Sequence, residues 1–446
     1  MKKLLLITTA ILFGLYVNAQ IVNIPDSIFK IALINHIPVI DTNGDGEIQQ
    51  SEASSFTDEV NVFDGIGICT YITDLTGIEA FTAITSLNCG QNQLTTLDVS
   101  NNVALTSLNC GHNPLTFLDI SNNPNLTYLA CYWNQLNSLD VSNNLNLDTL
   151  MVNSNQIMTI DVSNNVNLLY FDCSNNLLDT INTNFNINLT FFSCAINNLV
   201  KVDISHNTAL TYFDCGDNLL TSIDVSNNTS LIQLHCVMNQ FNTIDVSNNL
   251  DLYYLRCRDN LLQYLDLSNN TSLSVIECWN NQLTSLDLSN NSSLEFLACQ
   301  NNLLNELNVK NGNNTLMVAL FGDFMAYDNP DLYCIEVDDS TWSTANWTNI
   351  DSQSYFSENC MVGTPEQLQT PQLSIYPNPT TGPITIKNEE LRMMNVAVYD
   401  IYGKEVLKQE VGSQKYEVDL STQPNGIYIV KVITDKQAIT KKIIKQ

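Results

Sequence analysis

Leu105-Thr-Ser-Leu108-Asn-Cys110-Gly-His-Asn113-Pro-Leu115-Thr-Phe-Leu118-Asp119-Ile-Ser121-Asn-Asn123 decides how this chain folds, because the chain repeats it. Ile84, Leu105, Leu126, Leu147, Leu168, Leu189, Leu210, Leu231, Leu252, Leu273 and Leu294 open the same phrase at intervals of 21 residues, without insertion. Eleven copies run from Ile84 to about Asn314. So strict a period makes each copy one turn of a coil. A single turn cannot bury its own apolar face, so the turns stack and share one continuous core. Strand alternation in Leu108-Asn109-Cys110 sends Leu108 and Cys110 inward and Asn109 outward. With strands roughly 4.8 Å apart, eleven turns make a rod of about 50 Å.

Two polar ladders accompany the leucines. Asn113 and its equivalents Asn92, Asn134, Asn155, Asn176, Asn197, Asn218, Asn239, Asn260, Asn281 and Asn302 fall where each strand turns. A buried amide there pairs with backbone groups of its own and the adjacent turn that otherwise lack partners. Asp98, Asp119, Asp140, Asp161, Asp203, Asp224, Asp245, Asp266 and Asp287, followed by Ser and Asn-Asn, suit Asx and Ser/Thr turns. The competing reading, a calcium-binding acidic ladder, fits poorly, because Asn replaces Asp at Asn182 and Asn308.

The half-phrase L-x-x-L-x-C-x-x-N-x-L resembles the leucine-rich repeat in a bacterial 21-residue form, over about half the chain. That resemblance implies a curved solenoid with a parallel sheet on one face. Ten of the 13 cysteines, at 89, 110, 131, 173, 194, 215, 236, 257, 278 and 299, share one inward slot. Val152 takes the same slot in the remaining turn. A metal or redox ladder would not accept valine, whereas a small apolar packing slot does. These thiols are expected to be buried and inert.

The fold expected is therefore a leucine-rich-repeat solenoid of parallel β turns with a small helical N-terminal cap and a C-terminal antiparallel β-sandwich. Its segments are a signal peptide at 1–19, the cap at 20–83, the solenoid at 84–314 and a second cap at 315–360. A linker at 361–372 and a last domain at 373–446 complete it. Lys2 and Lys3 precede a short apolar run, and Val17-Asn18-Ala19 offers small residues for cleavage, so Gln20 begins the mature chain. No later segment reaches about 18 unbroken apolar residues, so no spanning helix is expected.

In the N-terminal cap, Asp41-Thr-Asn43-Gly-Asp45-Gly46-Glu47-Ile48-Gln49-Gln-Ser-Glu52 resembles an EF-hand or dockerin-type loop. The resemblance implies one structural Ca2+ held by Asp41, Asn43, Asp45, the Glu47 carbonyl, Gln49 and Glu52, between helices near Asp26–Asn35 and Gln50–Phe56. The alternative is an ion-free turn that caps the solenoid. In the C-terminal cap Leu332-Tyr-Cys334-Ile-Glu-Val337 reads as a degenerate last turn. Cys334 and Cys360 flank the closing segment and are expected to form a disulfide in an oxidising compartment, with Cys69 as a further available thiol.

Beyond residue 372 the period changes to alternating strands with turns at Tyr402-Gly403-Lys404 and Pro424-Asn425-Gly426, the pattern of a small sandwich. Tyr376-Pro-Asn-Pro379 with Thr381-Gly382, Val398-Tyr399-Asp400 with Gly403, and Pro424-Asn425-Gly426-Ile427-Tyr428 with the Lys-rich end resemble the type A C-terminal sorting domain of the type IX secretion system. The resemblance implies passage across the outer membrane by that machinery, followed by release or attachment at the cell surface.

Composition narrows the function. The 446 residues carry 17 Lys and Arg against 46 Asp and Glu, a net charge of −29. Nucleic acids and anionic membranes need a basic footprint, so neither is an expected partner. Ten of the 17 basic residues lie from Lys387 to Lys445, leaving Lys201, Arg256, Arg258 and Lys310 between 60 and 380. Four histidines (His36, His112, His206, His235) share no partner set, and no G-x-S-x-G, H-E-x-x-H, phosphate loop or C-x-x-C occurs. The chain is therefore read as no enzyme.

A rigid solenoid face suits binding instead. Tyr128, Tyr170, Phe191, Tyr212, Tyr254 and Phe296 occupy the outward position before the second repeat leucine, with Arg256, Arg258, Trp279 and Tyr132 beside them and Trp133 and His235 nearby. Such rings can stack on a sugar or anchor a protein, and the arginines can grip an anion. Equally, Tyr and Phe favour strands and pair across rungs. Adhesion to an extracellular protein or glycan and a passive surface spacer are the two functions that remain.

Overall fold

The structure, a computed structural model, describes residues 20–63, 71–317, 324–360, 373–388, 393–401, 403–434 and 438–446. The expected signal segment, Cys69, Tyr402 and the linker at 361–372 lie outside the described residues. The chain divides into two compact units, Met1–Cys360 and Met361–Gln446.

The first unit opens with helices α1 (Ser27–Ile34) and α2 (Gln50–Ser55) and strand β1 (Glu59–Asn61). The repeats then contribute three-residue strands β2 (Ser86–Asn88), β3 (Ser107–Asn109), β4 (Tyr128–Ala130), β5 (Thr149–Met151) and β6 (Tyr170–Asp172). These continue as β7 (Phe191–Ser193), β8 (Tyr212–Asp214), β9 (Gln233–His235), β10 (Tyr254–Arg256) and β11 (Val275–Glu277). The last turns hold β12 (Ser285–Asp287), β13 (Phe296–Ala298), β14 (Glu306–Asn308), β15 (Phe324–Met325), β16 (Cys334–Glu336), α3 (Ser340–Asn346) and β17 (Tyr355–Ser357).

Pairing between these strands is parallel, and every rung lies in register with the next, as in Ser107↔Tyr128 and Leu108↔Leu129. The long sheet has thirteen strands, not the eleven that the repeat count suggests, because β1 and β15 add to its two ends. An edge strand leaves a row of unpaired N–H and C=O groups, and a short extended segment from either cap, three residues in β1 and two in β15, satisfies them without any leucine pattern. A second sheet, β12-β14-β16-β17, forms only in the last turns, and the expected degenerate turn at Cys334–Glu336 belongs to it. Cys334 and Cys360 are joined by a disulfide beside its final strand.

The core is a set of columns. Leu87, Leu108, Leu129 and Leu150, then Phe171, Phe192 and Phe213, then Leu234 and Leu255 fill one column with essentially no exposure. The three phenylalanines stack at 5.6 Å between ring centroids. The ten ladder cysteines are buried free thiols, and Val152 completes their column. Burial pushes the Cys110 thiol up to about 12, so the thiolate needed for ligation or exchange is suppressed.

Backbone closure falls to asparagine. Asn113 Nδ2 donates to Cys89 O and Cys110 O at 3.1 Å, and its Oδ1 accepts from Leu94 N at 2.9 Å, so one amide ties its own turn to the preceding one at two points. A second ladder was hidden in the Asn-Asn pairs. Asn123 is fully buried and donates to Val99 O and Asn102 O, while its Oδ1 has no partner. Between strand and Asn lies one residue of positive φ per turn, from Gln91 to Asn301, at φ 50 to 59°. Asn and Asp tolerate this region, whereas the β-branched Ile196 at φ 55° is strained there.

The aspartate ladder closes turns. Asp119 Oδ1 accepts from Ser121 N at 2.9 Å, and Asn182 and Asn308 make the same bond to Asn184 and Lys310. The hydroxyls and backbone N–H groups of Ser100, Ser121 and Ser142 together hold the Asp98, Asp119 and Asp140 carboxyls below the usual range.

The second unit packs β18 (Leu373–Tyr376), β19 (Pro383–Asn388) and β22 (Lys415–Asp419) in one antiparallel sheet. The other sheet orders β21 (Glu405–Ser413), β20 (Met393–Asp400), β23 (Gly426–Thr434) and β24 (Ala438–Lys445). Ile384, Ile386, Val396, Val398, Val418, Val430 and Val432 form its core.

Asn176→Ala removes donors to Val152 O and Cys173 O and the acceptor for Ile157 N. With buried backbone groups left unpaired, it should lose about 2–4 kcal/mol in urea unfolding. The exposed Asn167→Ala, whose amide reaches only Leu145 O, should change stability by less than about 0.5 kcal/mol.

Candidate functional site

Because strand side chains alternate, each rung of the long sheet sends its first and third residues outward, and the residue two places further follows them. Three outward columns result. The first holds Tyr128, Thr149, Tyr170, Phe191, Tyr212, Gln233, Tyr254, Val275 and Phe296. The second holds Ala130, Met151, Asp172, Ser193, Asp214, His235, Arg256, Glu277 and Ala298. Tyr132, Asn153, Ser174, Ala195, Gly216, Val237, Arg258, Trp279 and Gln300 make the third.

Seven of the nine expected face residues are gathered into two groups. Tyr170, Phe191 and Tyr212 stack coin-like along the column, with centroids 4.0 and 4.3 Å apart and planes within 7°. Their faces cover one another, so the stack turns ring edges outward. His235 caps it: its ring stands edge-on at 5.1 Å from both Tyr212 and Tyr254, filling the gap above Gln233. Its Nδ1 lies 3.2 Å from Tyr212 Oη and 3.8 Å from Asp214 Oδ2.

The second group centres on Glu277. Its carboxylate accepts from Tyr254 Oη at 2.5 Å and Arg256 Nε at 3.2 Å, with Arg258 Nε at 3.8 Å. Arg258 also pairs with Asp259 and lies over the Trp279 ring at 4.8 Å. Both guanidiniums are thus committed within the chain, and the Trp279 face is covered. Burial and the Glu277 carboxylate push the Tyr254 hydroxyl up to about 12, so it stays a donor. Tyr128, whose hydroxyl faces Met151 Sδ at 3.7 Å, and Phe296 stand apart from both groups.

Sequence reading passed over Asp172, Ser193, Asp214 and Glu277, which share a column with His235 and Arg256. The signal was available, since each sits two residues after an outward aromatic or aliphatic residue and outside the periodic aspartate ladder. Asp172 is half-buried and accepts from Ser174 N at 3.0 Å and Ser174 Oγ at 2.6 Å. Burial, with the charge of Asp214 adding to it, pushes its carboxyl above the usual range.

In the N-terminal cap, α1 and α2 flank the acidic loop, and Ile48 is fully buried between them. Val22 N donates to Ile48 O and Gln50 N to Gln20 O, so residues 20–22 brace the single loop from outside. Asp41 accepts from Gly44 N and Gly46 N at 2.8 and 2.9 Å, and Gly46 takes φ 81°. Gln49 Nε2 donates to both Asp45 oxygens and, at 3.4 Å, to Glu47 O, so an amide donor stands among oxygens that suit a cation. Asn43 Nδ2 joins Asp45 and Gln49. Glu52 is turned to Thr42 N, Asn43 N and Gln49 N, capping α2. Among the described residues no three His, Cys, Asp or Glu side chains converge on one point. A cation there would depend on Asn43, Gln49 and the Glu47 carbonyl as much as on Asp41, Asp45 and Glu52.

Comparison with known proteins divides along the same two units. Residues 374–446 match the secretion system C-terminal sorting domain family. Among curated proteins none matches the chain. An internalin (inlF) from Listeria monocytogenes is similar at 21% identity and TM-score 0.57, over 75% of this chain and 95% of that one. A leucine-rich-repeat protein of Leptospira interrogans is similar at 20% identity and TM-score 0.51, over 64% and 76%. The functional domain of InlJ from Listeria monocytogenes, described as including a cysteine ladder, gives 25% identity and TM-score 0.49, over 96% and 98%. The fold is therefore a leucine-rich-repeat-like parallel solenoid, and the chain ends in a secretion sorting domain. Among the described residues no helix is long and apolar enough to cross a membrane.

Asp172→Asn keeps an acceptor for Ser174 and removes a desolvated charge. A carboxyl raised in the folded state favours folding below the ordinary Asp value and opposes it as pH rises through the raised one. The variant should therefore melt higher than the parent at pH 7, and the gain should vanish below about pH 3.9, as read by thermal unfolding across pH.

Proposed function

We propose that this chain is an exported, non-catalytic recognition protein that binds an extracellular protein or glycan through the outward face of its long sheet. The observation that carries the reading is the contiguous Tyr170–Phe191–Tyr212 stack, half-buried and continuous with polar side chains on thirteen registered strands. Large rings held rigid on a surface add contact area at little entropic cost, which suits a binding hot spot. Covered ring faces leave no room for a sugar to stack within the column, so a protein partner is favoured over a glycan. Arg256 and Arg258 serve this face by fixing Tyr254 and Trp279 around Glu277 rather than by gripping an external anion. Tyr128 and Phe296 extend the surface.

Export follows a leader at 1–19 and then the type IX machinery, which reads the sorting domain at 373–446. The working unit at 20–360 is left secreted or attached at the outer-membrane surface. The disulfide between Cys334 and Cys360 suits that oxidising destination. The loop from Asp41 to Glu52 takes one structural Ca2+, supported by an all-oxygen donor set and three carboxylates. Bound there, calcium would neutralise Asp41, Asp45 and Glu52 and brace α1 against α2.

An array of extracellular proteins and glycans probed with the full chain tests the recognition reading. A protein ligand is expected, and Phe191→Ser with Tyr212→Ser should weaken it roughly tenfold or more. A ligand indifferent to both changes would move the site elsewhere, and an empty array would leave a passive acidic spacer. For the loop, calorimetry should register one Ca2+, with a melting temperature that rises as calcium is added and no rise in Asp41→Ala. Absence of heat and of any rise would make it an ion-free turn.

A further inference from the structure

We propose that Asp172 and Asp214, standing on either side of the small Ser193, form a seat for one lysine or arginine side chain of a protein partner. The inference deepens, and rests on, the reading of the sheet face as a binding surface. Read across the sheet, rung β7 presents Phe191, Ser193, Ala195 and Ile196. Ser193 and Ala195 are buried by their neighbours, while Ile196 is 48% exposed. The adjacent rungs β6 and β8 carry Asp172 and Asp214 in the column of Ser193. Rungs roughly 4.8 Å apart place the Cα atoms of these two aspartates about 10 Å from each other, with the shorter Ser193 making a shallow trough between them. A cationic head over Ser193 would lie about 5 Å from each. Its methylene stem would run along Ala195 and Ile196, in the manner of a snorkelling side chain.

Charge makes the trough selective. Among the described residues no Lys or Arg reaches ion-pair distance of either carboxylate; His235 Nδ1 lies 3.8 Å from Asp214, and Arg256, two rungs beyond Asp214, acts on it only at longer range. Among the described residues Ser174 is the donor to Asp172, and Asp214 accepts from Gly216 N at 2.9 Å. Two half-buried carboxylates so placed repel each other and have no Lys or Arg paired to them among the described residues, a pairing that an entering cation supplies.

The same column shows what the completed arrangement looks like. Three rungs beyond Asp214, Glu277 holds the equivalent position and is met by Arg256 and Arg258, with Tyr254 and Trp279 alongside. There the chain supplies its own guanidiniums. At β6 to β8 the carboxylates and the aromatic wall are present, and the cation must come from outside.

The test is fluorescence anisotropy of the full-length protein with a labelled peptide of alternating Lys and Ala, at about 0.15 M salt. The same peptide with norleucine in place of lysine is the comparison. The lysine peptide should bind and the norleucine peptide should not. Asp172→Asn combined with Asp214→Asn should weaken binding roughly tenfold or more, and Ser193→Leu, which fills the trough without changing charge, should do the same. Asp251→Asn with Glu306→Gln removes two exposed charges elsewhere and should leave binding unchanged. Should Ser193→Leu fail to fold by circular dichroism, the aspartate pair decides alone. Equal weakening in the Asp251/Glu306 control, or none in the Asp172/Asp214 variant, overturns the seat, as does a lysine peptide that does not bind. A protein ligand lost on Phe191→Ser yet indifferent to the Asp172/Asp214 variant would overturn the seat while leaving the sheet face as the binding surface.

Discussion

The amide of Asn113, bonded to carbonyls of two turns and to an N–H of the preceding one, is the interaction on which the solenoid depends. A strand of three residues forms few ladder bonds, and a chain that bends after it exposes backbone groups directly above the core. Apolar columns of Leu, Phe and Cys supply the driving force, yet they would bury those groups without partners. An asparagine offers two donors and an acceptor from one short side chain, a set that Ser and Thr lack and that Gln carries only on a longer stem. Once it recurs in every turn, each rung must lie directly over the last. Register follows, and with register the outward columns.

Aligned columns turn a list of surface residues into zones. Tyr170, Phe191 and Tyr212 become a stack only because their rungs are adjacent and unshifted. Where the column is interrupted by Gln233, His235 leans across to fill the gap. Carboxylates behave oppositely on the two sides of the coil. Asp119 is exposed and receives a backbone N–H, so its charge is favoured; Asp172 is half-buried beside another acid, so its charge is opposed. Hydrogen-bond donors and burial, rather than the abundance of acid in the chain, decide which aspartates close turns and which are poised for a partner.

The ends obey the same rule of unpaired edges. Before the repeats β1 covers the first rung, and after them β15 and the β16–β17 pair carry the coil to the disulfide between Cys334 and Cys360. The acidic loop extends this logic inward: residues 20–22 supply the pairing that a lone loop lacks, and Ile48 anchors it to the cap. The sorting domain shares none of this. Its strands alternate, pair antiparallel and bury their own small core.

Period and alternation determined the solenoid, the inward cysteine slot, the closing role of Asn113 and Asp119, and the outward aromatic column. All of these are local consequences of a residue's place in a 21-residue turn, so one dimension suffices to read them. Strands β1, β15 and β18 escaped, because an edge strand is chosen by the backbone it must cover and needs no pattern of its own. The burial of Asn123 also escaped, since two adjacent asparagines look alike until one turns inward. Above all, the chain's order says nothing of what stands between neighbouring rungs. That the rings of Tyr170, Phe191 and Tyr212 close on one another, that Arg256 and Arg258 are taken by Glu277, and that no Lys or Arg among the described residues pairs with Asp172 or Asp214 depends on side chains 21 or more residues apart. Only the stacking of the turns brings them within reach.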